Sequence, residues 1–184
     1  MDIIFGSTCE LSTTIVQQLS EYRYRVFIEA LGWELKTESG IESDQFDRED
    51  TQYVVARNDE GHITGCARLL HTISPYLLEE VFPQLLNGMT PPKSTEVWEL
   101  SRFTTMDLTS NNTPSTGQFS SNTTLALLDE AVRCAKQKGA KRLISVSPIG
   151  VERLLRNTQY RAHRAGPPMI IDGYPLVACW IDFE

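Results

Sequence analysis

The sequence predicts one α/β domain, an αβα sandwich around a mixed, largely antiparallel sheet. Three observations carry that expectation. Short apolar strand patterns alternate with helical ones along the chain, the order of a sheet covered by helices. Two of the strand patterns, 52–56 and 63–70, flank Asn58-Asp59-Glu60-Gly61, a turn signal that makes them a hairpin. At 184 residues the chain suits one domain spanning 1–184.

The elements follow in order. Residues 3–5 are a short apolar strand. From about Ser12 to Leu31 the apolar residues Ile15, Leu19, Tyr22 and Val26 recur at spacings of three and four, which predicts a helix, and Gly32 is a suitable stop. Residues 34–50 are acidic and aperiodic, hence a loop. After the hairpin, Pro75 opens a short helix over 76–86, interrupted at Pro83. Residues 96–104 are a strand. Thr, Ser, Asn, Pro and Gly dominate the next stretch, which predicts a flexible surface loop at about 107–118. A helix over 121–138 ends at Gly139, a strand spans 142–147, and a short helix spans 150–157. Strands at 160–164, 169–171 and 176–181 close the chain.

Bulk properties exclude several classes. The chain has 41% hydrophobic and 22% charged residues, ordinary for a globular protein. No apolar run has the length of a membrane span, and the N-terminus lacks the basic start of a secretory signal, so the expected location is the cytoplasm. The four cysteines and three histidines show no metal-ligand spacing. A net charge of −7 argues against general nucleic-acid binding. The charge is uneven, however. Residues 1–60 hold 13 acids against 5 Lys/Arg, whereas residues 133–164 hold 9 Lys/Arg against the single acid Glu152. Such a basic segment suits an acidic protein partner or a phosphate, or is a solvated helix face. With no coiled-coil pattern, a monomer is expected.

The densest chemistry lies in Val97-Trp98-Glu99-Leu100-Ser101-Arg102-Phe103. Strand alternation puts Glu99 and Ser101 on one face and Arg102 on the other. Charges inside an apolar strand are either paired with one another or used. A second cluster stands upstream: Arg23, Arg25 and Phe27, then Leu31-Gly32-Trp33, then Glu42, Asp44, Phe46 and Asp47. A third element is Gly65-Cys66-Ala67-Arg68-Leu69. As an ordered set these residues resemble the LuxI family of acyl-homoserine lactone synthases, strongly over the first two thirds of the chain and weakly over the last.

That resemblance implies a fold similar to the GNAT acyltransferases, and a reaction. An acyl group carried by acyl carrier protein is transferred to the amine of S-adenosylmethionine, and lactonisation then releases methylthioadenosine. No metal or redox cofactor is implied, because S-adenosylmethionine is a substrate. Glu99 is the candidate general base, and Asp44 and Asp47 match the family's acidic pair. Arg68 or Arg102 can grip the substrate carboxylate, or lock the acidic loop in place. Arg23, Phe27, Trp33, Ser101 and Phe103 complete the expected S-adenosylmethionine site, with backbone N–H groups near 101–103 as oxyanion donors. The expected acyl pocket is Phe103, Met106, Leu125, Ile149, Leu154 and Leu155, each equally suited to plain core, with Ser145 on the strand position where some members of the resembling family have threonine; the expected chain is of medium length, about C6–C10. The basic segment fits acyl carrier protein. The alternatives are a GNAT-like N-acyltransferase using acyl-coenzyme A, which would want a glycine-rich pyrophosphate loop that the sequence lacks, and a non-catalytic binding module.

Overall fold

The structure, a computed structural model, describes residues 1–38, 40–109, 122–156 and 158–183. The strands are β1 (Asp2–Ser7), β2 (Gln52–Arg57), β3 (Ile63–His71), β4 (Val97–Thr104), β5 (Arg142–Pro148), β6 (Arg161–Arg164), β7 (Met169–Ile171) and β8 (Tyr174–Asp182). They form one sheet in the order β1-β2-β3-β4-β5-β8-β6, with β7 hung on β8. Every pairing is antiparallel except β4 with β5, which is parallel. The mixed, largely antiparallel αβα sandwich expected from the sequence is the fold found.

Helices cover both faces. On one face lie α3 (Asn122–Gln137) and α4 (Ile149–Arg156), packed over Leu69, Trp98, Leu143 and Val177. The other face carries α1 (Thr13–Arg23), α2 (Leu77–Glu80) and a 3₁₀ turn, Pro83–Leu86. Tyr22 and Val26 pack there on Tyr53 and Val55, while Leu78 and Leu85 pack with Phe46, Leu70 and Ile144. Helices on both faces explain why β2 and β3 are buried almost throughout. Among the described residues no helix is long and apolar enough to cross a membrane. The loop expected at 107–118 lies, from residue 110 on, outside the described residues, as do Ser121 and Asn157 at the expected helix ends.

Three local irregularities shape the site. First, the 12–31 helix changes character. The side chain of Ser12 caps α1 by accepting from the Ile15 N–H, but beyond Arg23 the chain continues as a π-helix, Tyr24–Ala30. Its wider turn ends when the N–H of Leu31 bonds Val26 O at 2.9 Å and Gly32 takes a positive φ of 69°.

Second, β4 carries a bulge. Arg68 pairs with Ser101 and Cys66 with Thr104, so β4 spends one extra residue against β3, and Arg102 sits at φ 50°. This corrects the alternation expected from the sequence: the bulge turns Arg102 back to the face that carries Glu99 and Ser101.

Third, β4 and β5 part company. Their register runs from Val97–Arg142 to Leu100–Ser145 and stops there, although β4 continues to Thr104 and β5 to Pro148.

Candidate active site

The bulge and the splay open one cavity of about 710 Å³, within the size range of small-molecule sites. Ser101 and Arg102 of β4 and Val146 and Pro148 of β5 line it beside the acidic loop, residues 42–46. Trp33, Glu34, Leu35 and Lys36 form a second wall. Leu77, Val81 and Phe82 lie opposite, and Ile171, Asp172, Tyr174 and Leu176 come from the β7–β8 hairpin.

The cavity floor is an ionic network of three arginines and three carboxylates, of which Glu42, Asp44 and Arg102 line the cavity. Arg23 gives Nε to Glu42 at 2.5 Å and a bidentate pair to Asp47 at 2.8 and 3.0 Å. Arg68 is bidentate to Asp44 at 2.6 and 3.1 Å, and adds Asp47 at 2.9 Å and Ser101 Oγ at 3.0 Å. Arg102 reaches Glu42 and Asp44, each at 2.9 Å through Nη2. The Tyr53 hydroxyl donates to Asp47 at 2.6 Å. Unlike Arg23 and Arg68, Arg102 has one guanidinium nitrogen, Nη1, without a hydrogen-bond partner among the described residues, and it is the arginine of the three that lines the cavity.

Burial alone would neutralise these groups, and their partners prevent it. Burial raises the carboxyl of Asp47, but Arg23 and Arg68 outweigh that and hold it well below the usual range. Glu42 behaves likewise between Arg23 and Arg102. On the guanidinium side, burial opposes the charge of Arg23 and Asp47 restores it.

Aromatic rings complete the floor. Phe27, buried on the π-helix, stacks on Trp33 with centroids 4.8 Å apart. The π-helix holds Trp33 in place, because Phe27 O accepts the Trp33 N–H at 2.8 Å. The Arg102 guanidinium lies over both rings, at 5.5 and 6.0 Å.

Glu99 stands apart. It is wholly buried, does not line the cavity, and accepts the N–H groups of Leu77 and Leu78 at 3.3 and 2.6 Å. Burial pushes its carboxyl up to about 7, against the opposing pull of the Leu78 N–H and Arg68.

Thus Arg23, Phe27, Trp33, Asp44, Asp47, Arg68, Glu99, Ser101 and Arg102 are brought together on one face of the sheet, with Trp33, Asp44, Ser101 and Arg102 at the cavity surface. The acyl-pocket candidates are not there. Phe103 packs on the core beneath α3 and α4, Leu155 belongs to that core, and Ser145 is buried and hydrogen-bonded with Ser147 at 3.4 Å. Leu125 lies on α3, with Ile149 and Leu154 on α4. The reason is alternation: on β5 Val146 and Pro148 line the cavity, so Ser145 points to the other face. Met106 packs against the α1 layer, and its carbonyl accepts from Tyr22.

The sequence reading missed Tyr53, Tyr174 and the apolar wall of Leu77, Val146 and Leu176. Phe46 belongs to the acidic motif, and its ring lies 5.8 Å from the Arg68 guanidinium. The Tyr174 hydroxyl spans the cavity mouth to the carbonyls of Leu31 and Gly32, at 3.3 and 3.4 Å. Nothing in the sequence near Tyr53 or Tyr174 marks them.

The basic segment is less one-sided in space. Glu130, Glu96 and Asp182 come in to pair with Arg133, Lys141 and Arg142, and Glu152 takes both Arg156 and Arg164.

Residues 7–183 match the family model of autoinducer synthases. An acyl-homoserine-lactone synthase of Acinetobacter baumannii is 54% identical over 183 residues, 99% of this chain and all of that one. The crystal structure of TofI, in a ternary complex with an inhibitor and MTA, superposes with a TM-score of 0.85 at 45% identity, covering 99% of this chain and 91% of that one. A CoA-dependent acyl-homoserine lactone synthase, MesI, matches with a TM-score of 0.80 at 27% identity over 98% and 88% of the two chains. An acyl-CoA N-acyltransferase from Pseudomonas aeruginosa, 13% identical with a TM-score of 0.67, shares the fold. The chain belongs to the autoinducer synthase family and is an acyltransferase.

Proposed function

We propose that this chain makes an acyl-homoserine lactone from S-adenosylmethionine and an acyl thioester on acyl carrier protein. The observation that carries the reading is the cavity floor, where Arg102 presents an unpaired Nη1 beside Trp33 and Asp44 in a chain of this family. S-adenosylmethionine offers a carboxylate, an amine and a sulfonium. Arg102 Nη1 takes the carboxylate, the Trp33 face takes the sulfonium or the adenine, and Asp44 attracts the ammonium.

The amine, once deprotonated, attacks the thioester carbonyl. The amide forms and the thiol leaves with a proton. Backbone N–H groups of β4 beyond Leu100, freed from pairing with β5, face the developing oxyanion. The methionyl carboxylate then displaces methylthioadenosine from its own γ-carbon and closes the lactone. Glu99, with a carboxyl near 7, is poised to accept the amine's proton at neutral pH. This chemistry calls for no resident cofactor.

The acyl chain leaves the cavity through the splay beyond Leu100 and Ser145, toward Phe103, Leu125, Ile149, Leu154 and Leu155. Acyl carrier protein docks on the α4 side, where Arg153 and Arg156 stand exposed one turn and two turns past the cavity-lining Pro148. Lys141 and Arg142, at the opposite end of β5, lie at the far end of the sheet.

The test is mass spectrometry of purified protein with S-adenosylmethionine and C6, C8, C10 and 3-oxo chains, each on acyl carrier protein and on coenzyme A. A lactone with matching methylthioadenosine from the carrier-protein donors is expected. Turnover of the coenzyme A donors alone would move the assignment to the CoA-dependent reaction, and absence of any lactone would remove the synthase reading.

A further inference from the structure

The base proposed above has no direct access to the substrate. Glu99 is fully buried behind the cavity wall, and both its oxygens face the backbone N–H groups of Leu77 and Leu78. Leu77 and Ser101 both line the cavity, whereas Glu99 does not. Ser101 follows Glu99 by two positions on β4, so the two side chains leave the strand on the same face, with Ser101 on the cavity side.

A serine hydroxyl has one donor and two acceptor sites. One acceptor site of Ser101 Oγ is taken, since Arg68 Nε donates to it at 3.0 Å. Arg68 is in turn locked by Asp44 and Asp47, so the rotation of the hydroxyl is constrained by a fixed donor. What remains is one O–H and one lone pair, on a side chain that lines the cavity and shares its strand face with Glu99. Ser101 also helps to hold the Glu99 carboxylate in its charged form, consistent with an O–H directed at it.

We propose that Ser101 is a catalytic residue of this site, a proton relay joining the substrate amine to buried Glu99. Resting on the synthase reading, the step balances as follows. The ammonium N–H bond breaks and its proton passes to the free lone pair of Ser101 Oγ. The Ser101 O–H bond breaks in concert and that proton passes to a Glu99 carboxylate oxygen. The amine keeps the electron pair with which it attacks the thioester. The hydroxyl ends as it began, turned over, and Glu99 is left neutral in an environment that favours the neutral form.

The experiment is a set of pH–rate profiles for wild type, Ser101→Ala, Ser101→Cys and Ser101→Thr, with the C6–C10 thioester that wild type turns over. Ser101→Ala is expected to lower kcat about 10²-fold or more at pH 7, with the KM for S-adenosylmethionine within about threefold, and to lose the inflection near pH 7 that reports Glu99. Ser101→Thr, which keeps the hydroxyl, should restore kcat to within about tenfold and bring the inflection back. If Ser101→Ala fails to fold, Ser101→Cys, which keeps the size and weakens the acceptor, carries the same expectation. A variant lacking the hydroxyl that keeps wild-type kcat, or that raises KM alone while the inflection stays, would overturn the relay and leave Ser101 as a support for Arg68. Failure of the synthase reading would look different, because wild type itself would then release no lactone from any donor.

Discussion

Asp47 is the member of the ionic network whose loss is expected to cost most, and Asp47→Ala tests how the site is held. Its carboxylate accepts five hydrogen bonds: two from Arg23 at 2.8 and 3.0 Å, one from Arg68 at 2.9 Å, one from Tyr53 at 2.6 Å and one from the Asp44 N–H at 2.8 Å. Removing it leaves three guanidinium groups against two carboxylates, with Arg23 and Arg68 both essentially out of solvent. An uncompensated buried charge costs about 3–5 kcal/mol. Summing the five bonds separately would give more, but the neighbouring cavity lets water reach the vacated space. For a domain of this size that cost lowers Tm by about 6–20 °C.

The assay is thermal unfolding by circular dichroism at pH 7.5, with Asp50→Ala as the comparison. Asp50 pairs with Arg48 at 3.0 Å but is half exposed, so its loss should cost under about 1 kcal/mol. The gap between Asp47→Ala and wild type also has a sign in pH. The Asp47 carboxyl is depressed in the fold, so its contribution is complete above its unfolded value of about 3.9 and fades as pH falls toward the folded value. A Tm for Asp47→Ala within about 2 °C of wild type at pH 7.5 would refute the claim that the network carries the acidic loop.

Other outcomes follow from the same geometry. Because burial raises Glu99 to about 7, kcat/KM should rise about tenfold per pH unit below that value and level off above it, and Glu99→Gln should lower kcat by about 10²–10⁴-fold, read by lactone release across pH 5.5–9. The stability that Glu99 contributes is full below about pH 4.3 and is lost as pH rises through about 7, so urea midpoints of Glu99→Gln should lack that decline. Trp33→Ala removes the ring over which Arg102 lies and should raise the KM for S-adenosylmethionine about 2- to 30-fold, in steady-state kinetics, with kcat changed less. Arg153→Ala should raise the KM for acyl carrier protein donors several-fold at about 50 mM salt, an effect that shrinks at about 300 mM and is absent with a coenzyme A donor; a salt-independent effect would argue against docking on α4.

The secondary structure was largely legible because its punctuation is explicit. Asn58-to-Gly61, Pro75, Pro83 and Gly139 stand where elements turn, start or stop, and the strand and helix ends lie within a residue or two of those expected. What the sequence hid was irregularity. The Ile15–Val26 periodicity runs smoothly into the π-helix, because one widened turn leaves a spacing of three or four intact upstream of it. The bulge at Arg102 depends on how β4 lies on β3, a tertiary fact, so strict alternation sent that arginine to the wrong face. The site residues of the ordered motifs converge because their spacing is a property of the set, whereas apolarity alone does not tell one face of the sheet from the other, so Phe103, Leu125, Ile149, Leu154 and Leu155 lie across it from the cavity. The basic segment looked unopposed because Glu96, Glu130 and Asp182, its partners in space, lie outside the window in which charges were counted.

The bulge at Arg102 has a consequence for how the gene can vary. At residues 34–38, which pair with no strand among the described residues, a residue gained or lost costs the sheet nothing. Between Ser101 and Phe103 a single-codon deletion would remove the bulge rather than shift the strand. β4 would realign on β3 as a regular ladder with Thr104 still opposite Cys66, so the positions beyond would keep their faces. What would be lost is the place where two neighbours, Ser101 and Arg102, both face the acids: strict alternation would leave either the Ser101 contact with Arg68 or the Arg102 contacts with Glu42 and Asp44 unmade. Such a deletion should cost the site more than the sheet, and a one-codon deletion scan along β4 would trace that boundary.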